Sequence, residues 1–208
     1  MDLVSIDHVL TTTRSVRKRL DLTRTVEDEV LQQCIDIALQ APNGGNRGRY
    51  HFMVVTDQAK RASLADIYQK ASVAHLERMR SVYSAGVFES STYLAEHLHE
   101  VPVHVIPCIE GRVEEEGLMR QATTYGSILP AAWSFTLALR ARGLGSAWTT
   151  LHLTYEAEAA ELLEIPKDVT QAALLPVAYF TGDDFRPALR EPSRERTYWN
   201  TWGQTHSA

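Results

Sequence analysis

Arg14, Arg17, Lys18, Arg19 and Arg24 form the densest run of cations in the chain. A guanidinium presents a planar fork of donors that matches phosphate oxygens, and Ser15 adds a hydroxyl inside the run. A spacing of three to four residues puts Arg14, Arg17 and Lys18 on one side of a helical turn. A helix start there would add free N–H groups and a dipole that favour the same anion. Taken alone, the cluster also fits a solvated basic helix face.

A second candidate is Pro42-Asn43-Gly44-Gly45-Asn46, between a helix and a strand. Its small residues would let a flat ring approach the backbone, and the Asn46 amide can both donate and accept. The same residues also make a plain tight turn. The segment lacks the strand-then-helix order and the glycine spacing of a dinucleotide fingerprint. Arg142-Gly143-Leu144-Gly145 reads as a helix stop. His97, His99 and His104, with Glu96 and Glu100, match no structural zinc spacing and have no cysteine nearby, so no metal site is expected. The sequence holds no Gly-x-Ser-x-Gly elbow and no Walker phosphate loop, and no protein nucleophile or base stands out.

The elements that must position these residues are read from periodicity. Helices are expected over Asp2–Leu10, Thr25–Leu39, Asp57–Arg80, Met119–Arg142 and Tyr155–Leu163. Thr25 and Asp28 resemble a capping box at the start of the second. Pro130 should kink or break the fourth. Strands are expected over Tyr50–Thr56, Val101–Ile109 and Ala172–Thr181, the last two with internal prolines. Gly111–Gly117 is a solvated loop, and Ser146–Leu151 a loop or short strand. Residues 81–98 have weak periodicity and fit either a helix or a mobile flap. The order is not strict βαβ, so the fold class is α+β with a mixed or antiparallel sheet.

The chain has 208 residues and a net charge of −5, which argues against a general nucleic-acid binder. Its composition is that of one globular domain over 1–208, with enough chain for a sizeable core. Cys34 and Cys108 lie in apolar stretches and read as buried hydrophobes rather than a disulfide. No signal peptide or membrane span is evident, so a cytoplasmic protein is expected.

The order of these pieces is more specific than any one of them. An Arg-Ser-Val-Arg segment precedes a helix that ends in Pro42–Asn46. An aromatic strand follows, then a late helix running into Gly143-Leu144-Gly145-Ser146-Ala147-Trp148-Thr149, and an arginine-rich tail with Trp199 and Trp202. This resembles the nitroreductase family of FMN-dependent NAD(P)H oxidoreductases over nearly the whole chain. The resemblance implies a three-layer α/β/α fold in an intertwined homodimer, with one FMN at each of two sites in the subunit interface. It implies that Arg14, Ser15 and Arg17 hold the FMN phosphate and ribityl chain. The family often has a further arginine where this chain has Thr13, so a tail arginine is required, and Arg190 is preferred to Arg186 or Arg194. Pro42, Asn43, Gly44 and Asn46 would lie along the isoalloxazine ring, although Gly48-Arg49-Tyr50 replaces the family's usual Gln-Pro-Trp. Ala147, Trp148, Thr149 and Thr150 would pack on the ring's far side.

The chemistry implied is the cofactor's: ping-pong transfer of two electrons from NADH or NADPH to a small acceptor, a nitroaromatic or a quinone. Residues 81–98 would then be a possible lid, with Tyr83, Phe88 and Tyr93 as its aromatics, and 183–208 a C-terminal arm. The alternative within the same fold is a protein that sequesters flavin without NAD(P)H turnover.

Overall fold

The computed structural model describes residues 2–205. Residue 1 and residues 206–208, the ends of the expected domain and arm, lie outside the described residues.

The core is an antiparallel sheet built around one strand. In chain order the strands are β1 (Tyr50–Val55), β2 (Val103–Glu110), β3 (Leu144–Ser146), β4 (Val169–Gln171) and β5 (Leu175–Tyr179). They lie in the order β1-β2-β5-β3, with β4 sharing the β2 edge that β5 also uses. Tyr50 pairs with Ile109 and Val55 with His104 along β1 and β2. On the other edge of β2, residues 103–105 face β5 and residues 108–110 face β4. Pro107 falls in the gap between those two ladders, where its carbonyl accepts the Ala172 N–H at 2.9 Å. A proline inside a central strand is tolerable there because that edge of the ladder is already interrupted.

The strand expected over Ala172–Thr181 is only Leu175–Tyr179, β5, and the short strand β4 precedes that range. Between them Leu174 leaves β2 and exchanges backbone hydrogen bonds with Thr149, at 2.7 and 3.2 Å. An unbroken apolar run carries no mark of where a strand changes partner.

Alternation along β2 sends its side chains to two cores. Val103 and Val105 join Leu31, Cys34 and Ala38 of α2 (Asp28–Ala38) and Phe135 and Leu139 of α5 (Leu118–Arg140). Ile106 and Cys108 join Leu64 and Tyr68 of α3 (Gln58–Met79), Leu94 of α4 (Ala85–His97) and Ala159 of α6 (Glu156–Leu163). Helices thus cover both faces, which gives the three layers.

Several local expectations change. The first helix, α1, spans Leu3–Thr12. α2 has Glu27 at its N-cap with no side-chain cap bond, so the Thr25–Asp28 capping box does not form. Asp28 and Glu29 in the first turn favour the helix dipole instead. Most of the 81–98 region is helix: Ser84 caps α4 by accepting the Val87 N–H, and Leu94, Ala95 and Leu98 are buried. α5 runs on through Pro130 without a break. Both cysteines are free and buried, and burial pushes the Cys108 thiol up to about 12. Among the described residues no helix is long and apolar enough to cross a membrane.

Candidate functional site

After α1 the chain does not enter a helical turn, contrary to the spacing argument. Ser15 forms a parallel bridge with Ser146 of β3, and the Val16 N–H donates to the Ser146 carbonyl at 2.8 Å. Gly145 permits this approach: a Cβ there would stand 2.9 Å from the Val16 Cβ. The bridge ties the arginine segment to the strand that leads into Ala147–Thr150, so two distant parts of the sequence form one wall.

The cation cluster then divides. Lys18 pairs with Glu89 on α4. Arg19 lies over Phe185 at 4.2 Å, and Arg24 over Tyr179 at 3.3 Å. Arg14 and Arg17 instead line a hollow of about 690 Å³ together with Ser15, Thr13, Trp133 and Arg190. That lining holds three guanidiniums and no carboxylate. Arg14 donates one bond to the Arg186 carbonyl at 2.5 Å. Among the described residues, Arg17 and Arg190 make no ion pair. Of the three tail arginines considered, Arg190 reaches this lining, and Arg186 and Arg194 do not. The root of the arm is fastened by Asp184, which binds His8 at 2.7 Å and pairs with Arg140.

Arg17 also lines a smaller hollow of about 190 Å³ with Trp148, Thr149 and Thr150. Tyr68, Ser72 and His75 of α3 form its opposite wall. The Thr149 hydroxyl donates to the Tyr68 hydroxyl at 3.1 Å, and burial pushes the Tyr68 phenol up. His75 Nε2 and the Tyr83 hydroxyl are 2.9 Å apart. Ala147 is fully buried behind this wall. Sequence reasoning missed Tyr68, Ser72 and His75. Their spacing of four and then three residues puts them on one helical stripe, a pattern too common to single them out by itself. Of the three lid aromatics, Tyr83 faces the hollow. Phe88 lies under Arg80, and Tyr93 stacks on His97 at 4.3 Å.

The Pro42–Asn46 loop stands elsewhere in the single chain. It is a 3-10 turn over Gly44–Asn46, with Gly45 at φ 67° and Asn46 at φ 53°. The Gly44 N–H donates to the Ser127 hydroxyl at 2.9 Å, which fixes the loop on α5. The Asn43 side chain is spent internally, on the Gly48 N–H and the Tyr50 hydroxyl. Pro42 and Asn46 are exposed. Asn43 and Gly44 line a third hollow of about 200 Å³ with Arg47, Arg49, Arg120 and Thr123. The structure therefore brings Arg14, Ser15, Arg17 and Arg190 together, and joins them through Arg17 to Trp148–Thr150. It does not bring Pro42–Asn46 to them within one chain.

This chain belongs to the Nitroreductase family, whose model matches residues 10–179. A protein of Methanothermobacter thermautotrophicus that bears the name "Putative NADH dehydrogenase/NAD(P)H nitroreductase" is 25% identical over 186 residues, covering 88% of this chain and 81% of that one. Among solved structures, a nitroreductase-like family protein from Bacillus cereus superposes with a TM-score of 0.69 at 18% identity, over 93% of this chain and 95% of the other. An oxidised iodotyrosine deiodinase bound to FMN and 3-iodo-L-tyrosine superposes with a TM-score of 0.67 at 21% identity, over 90% of this chain and 95% of the other. The family membership makes the chain an oxidoreductase.

Proposed function

We propose that this protein binds FMN and, as a homodimer, carries two electrons from NADH or NADPH to a small nitroaromatic or quinone acceptor. The observation that carries the reading is the carboxylate-free hollow lined by Arg14, Arg17 and Arg190. Three guanidiniums facing one space repel one another unless an anion sits between them, and a phosphate monoester supplies that charge with matching geometry. The donor set fits the FMN phosphate. FMN, when bound, would supply the redox chemistry, a two-electron carrier that needs no protein nucleophile.

The chain's own residues bind, orient and enclose. Arg14, Ser15, Arg17 and Arg190 hold the phosphate end. Trp148, Thr149 and Thr150 continue from that hollow into the smaller one, where the Tyr68–Thr149 hydrogen bond fixes the wall against which a ring would lie.

A second copy supplies the missing loop. Met119, Ala122, Gly126, Leu129 and Trp133 form an exposed stripe on α5 with alternating spacings of three and four residues. Trp133 ends this stripe at the arginine hollow, and Met119 ends it at the loop hollow, roughly 21 Å away along the helix. Two-fold antiparallel packing of two such stripes brings the loop end of one copy to the arginine end of the other. Pro42, Asn43, Gly44 and Asn46 of the partner copy then close the FMN site.

The visible spectrum of the purified protein tests the binding claim. A flavin spectrum, with FMN as the species released on denaturation, is expected. A colourless protein that gains no flavin spectrum with added FMN overturns the reading.

A further inference from the structure

The hollow beside the Pro42–Asn46 loop holds an arginine cluster of its own. Arg47, Arg49 and Arg120 line it against a single carboxylate, Glu110. Glu110 is shared: its oxygens lie 4.0 Å from Arg49 Nε and 3.0 Å from His51 Nε2. Arg47 folds back over Gly45, with its Nε 3.5 Å from where a Cβ on that residue would stand. Among the described residues neither Arg47 nor Arg120 makes an ion pair. The acids at 114–116 do not line the hollow, and Glu114 is paired with Arg112. In a chain whose net charge is −5, this excess of positive charge is local.

We infer that this cluster receives the 2′-phosphate of the hydride donor, so that the enzyme selects NADPH over NADH. The inference rests on the function proposed above and deepens it. In the two-fold arrangement this hollow of one subunit borders the FMN site of the other. A dinucleotide whose nicotinamide meets the ring there trails its phosphates across the loop, toward Arg47 and Arg120. A phosphate monoester is a dianion that a guanidinium fork holds bidentately, and NADH has no such group at its adenosine ribose. Each arginine removed should weaken NADPH binding about tenfold. If the cluster met the pyrophosphate instead, both donors would suffer alike.

The test is anaerobic reduction of the FMN-loaded protein, with NADPH and NADH as separate concentration series, for the parent and for Arg47→Gln and Arg120→Gln. Both arginines are exposed, so neither change should disturb the fold. The parent should half-saturate at a concentration of NADPH about tenfold below that of NADH. Each variant should raise the NADPH value about tenfold and leave the NADH value and the limiting rate unchanged. Calorimetry with 2′,5′-ADP, which carries the 2′-phosphate without a nicotinamide, should show binding to the parent and weaker binding to both variants. Equal half-saturation by the two donors overturns the inference while leaving the proposed function intact. So does a variant that shifts both donors alike, or 2′,5′-ADP binding that the variants do not weaken. Failure of both nucleotides to reduce the flavin removes the proposed function, and the inference with it.

Discussion

Arg17 lines both hollows that flank the Ser15–Ser146 bridge, and among the described residues no acid neutralises it. Arg17→Glu replaces an attraction with a repulsion at the point where the two hollows meet. FMN affinity should fall at least about a hundredfold, read by fluorescence titration of flavin-free protein. A parent-like affinity would misplace the phosphate. Gly145→Ala acts on the same wall by packing rather than charge. Its Cβ would stand 2.9 Å from Val16, and the backbone shift that relieves this should cost about 1–3 kcal/mol in urea unfolding. Residue chemistry alone left the arginine segment open between a phosphate clamp and a solvated basic face, and only its order with the later segments favoured the clamp. The reason Arg14 and Arg17 share a hollow was not legible, because a bridge to Ser146 is non-local and no short-range spacing reports it.

At the scale of elements, periodicity marks α2, α3, β1, β2 and α5 closely, since each buries a definite face or both faces. It fails where burial is uneven. α4 rests on α3 through Leu94 and Ala95, with Leu98 just beyond its end, and carries mixed polar and aromatic residues before them, so its pattern is diluted. Leu94 is 2% exposed, and Leu94→Ala should cost about 2–5 kcal/mol in equilibrium unfolding. A loss below about 1 kcal/mol would mean that α4 is loosely held and closer to the flap. The α3 stripe of Tyr68, Ser72 and His75 escaped notice for a related reason. Hydroxyls and a histidine on a helix are ordinary until the opposing wall, Trp148–Thr150, is known.

Two properties belong to the whole molecule. The first is assembly. The α5 stripe leaves Trp133 43% exposed beside the arginine hollow, a position that calls for a partner. In the proposed dimer, Trp133→Glu should shift the protein from dimer to monomer in size-exclusion chromatography with light scattering and weaken FMN binding with it. A variant that stays dimeric would move the interface elsewhere.

The second whole-molecule property is acid stability. His104 and His152 are fully buried, and desolvation lowers each to about 4. Their unfolded value is near 6.5, so below that pH the unfolded chain takes up protons that the folded one refuses. Stability should be intact above about pH 6.5. It should fall as the pH drops to about 4, by roughly 3 kcal/mol for each histidine. A urea midpoint that stays flat across that window would show that neither histidine is buried and neutral.

In the function proposed, these walls hold a flavin that nicotinamide nucleotides can reach. The deciding measurement is the visible flavin absorbance of the FMN-loaded protein on anaerobic addition of NADPH or NADH, and then on addition of a quinone or nitroaromatic. The predicted result is bleaching by the nucleotide and full return of colour with the acceptor. A flavin that dithionite bleaches but neither nucleotide does would contradict it, leaving a protein that binds FMN without using it.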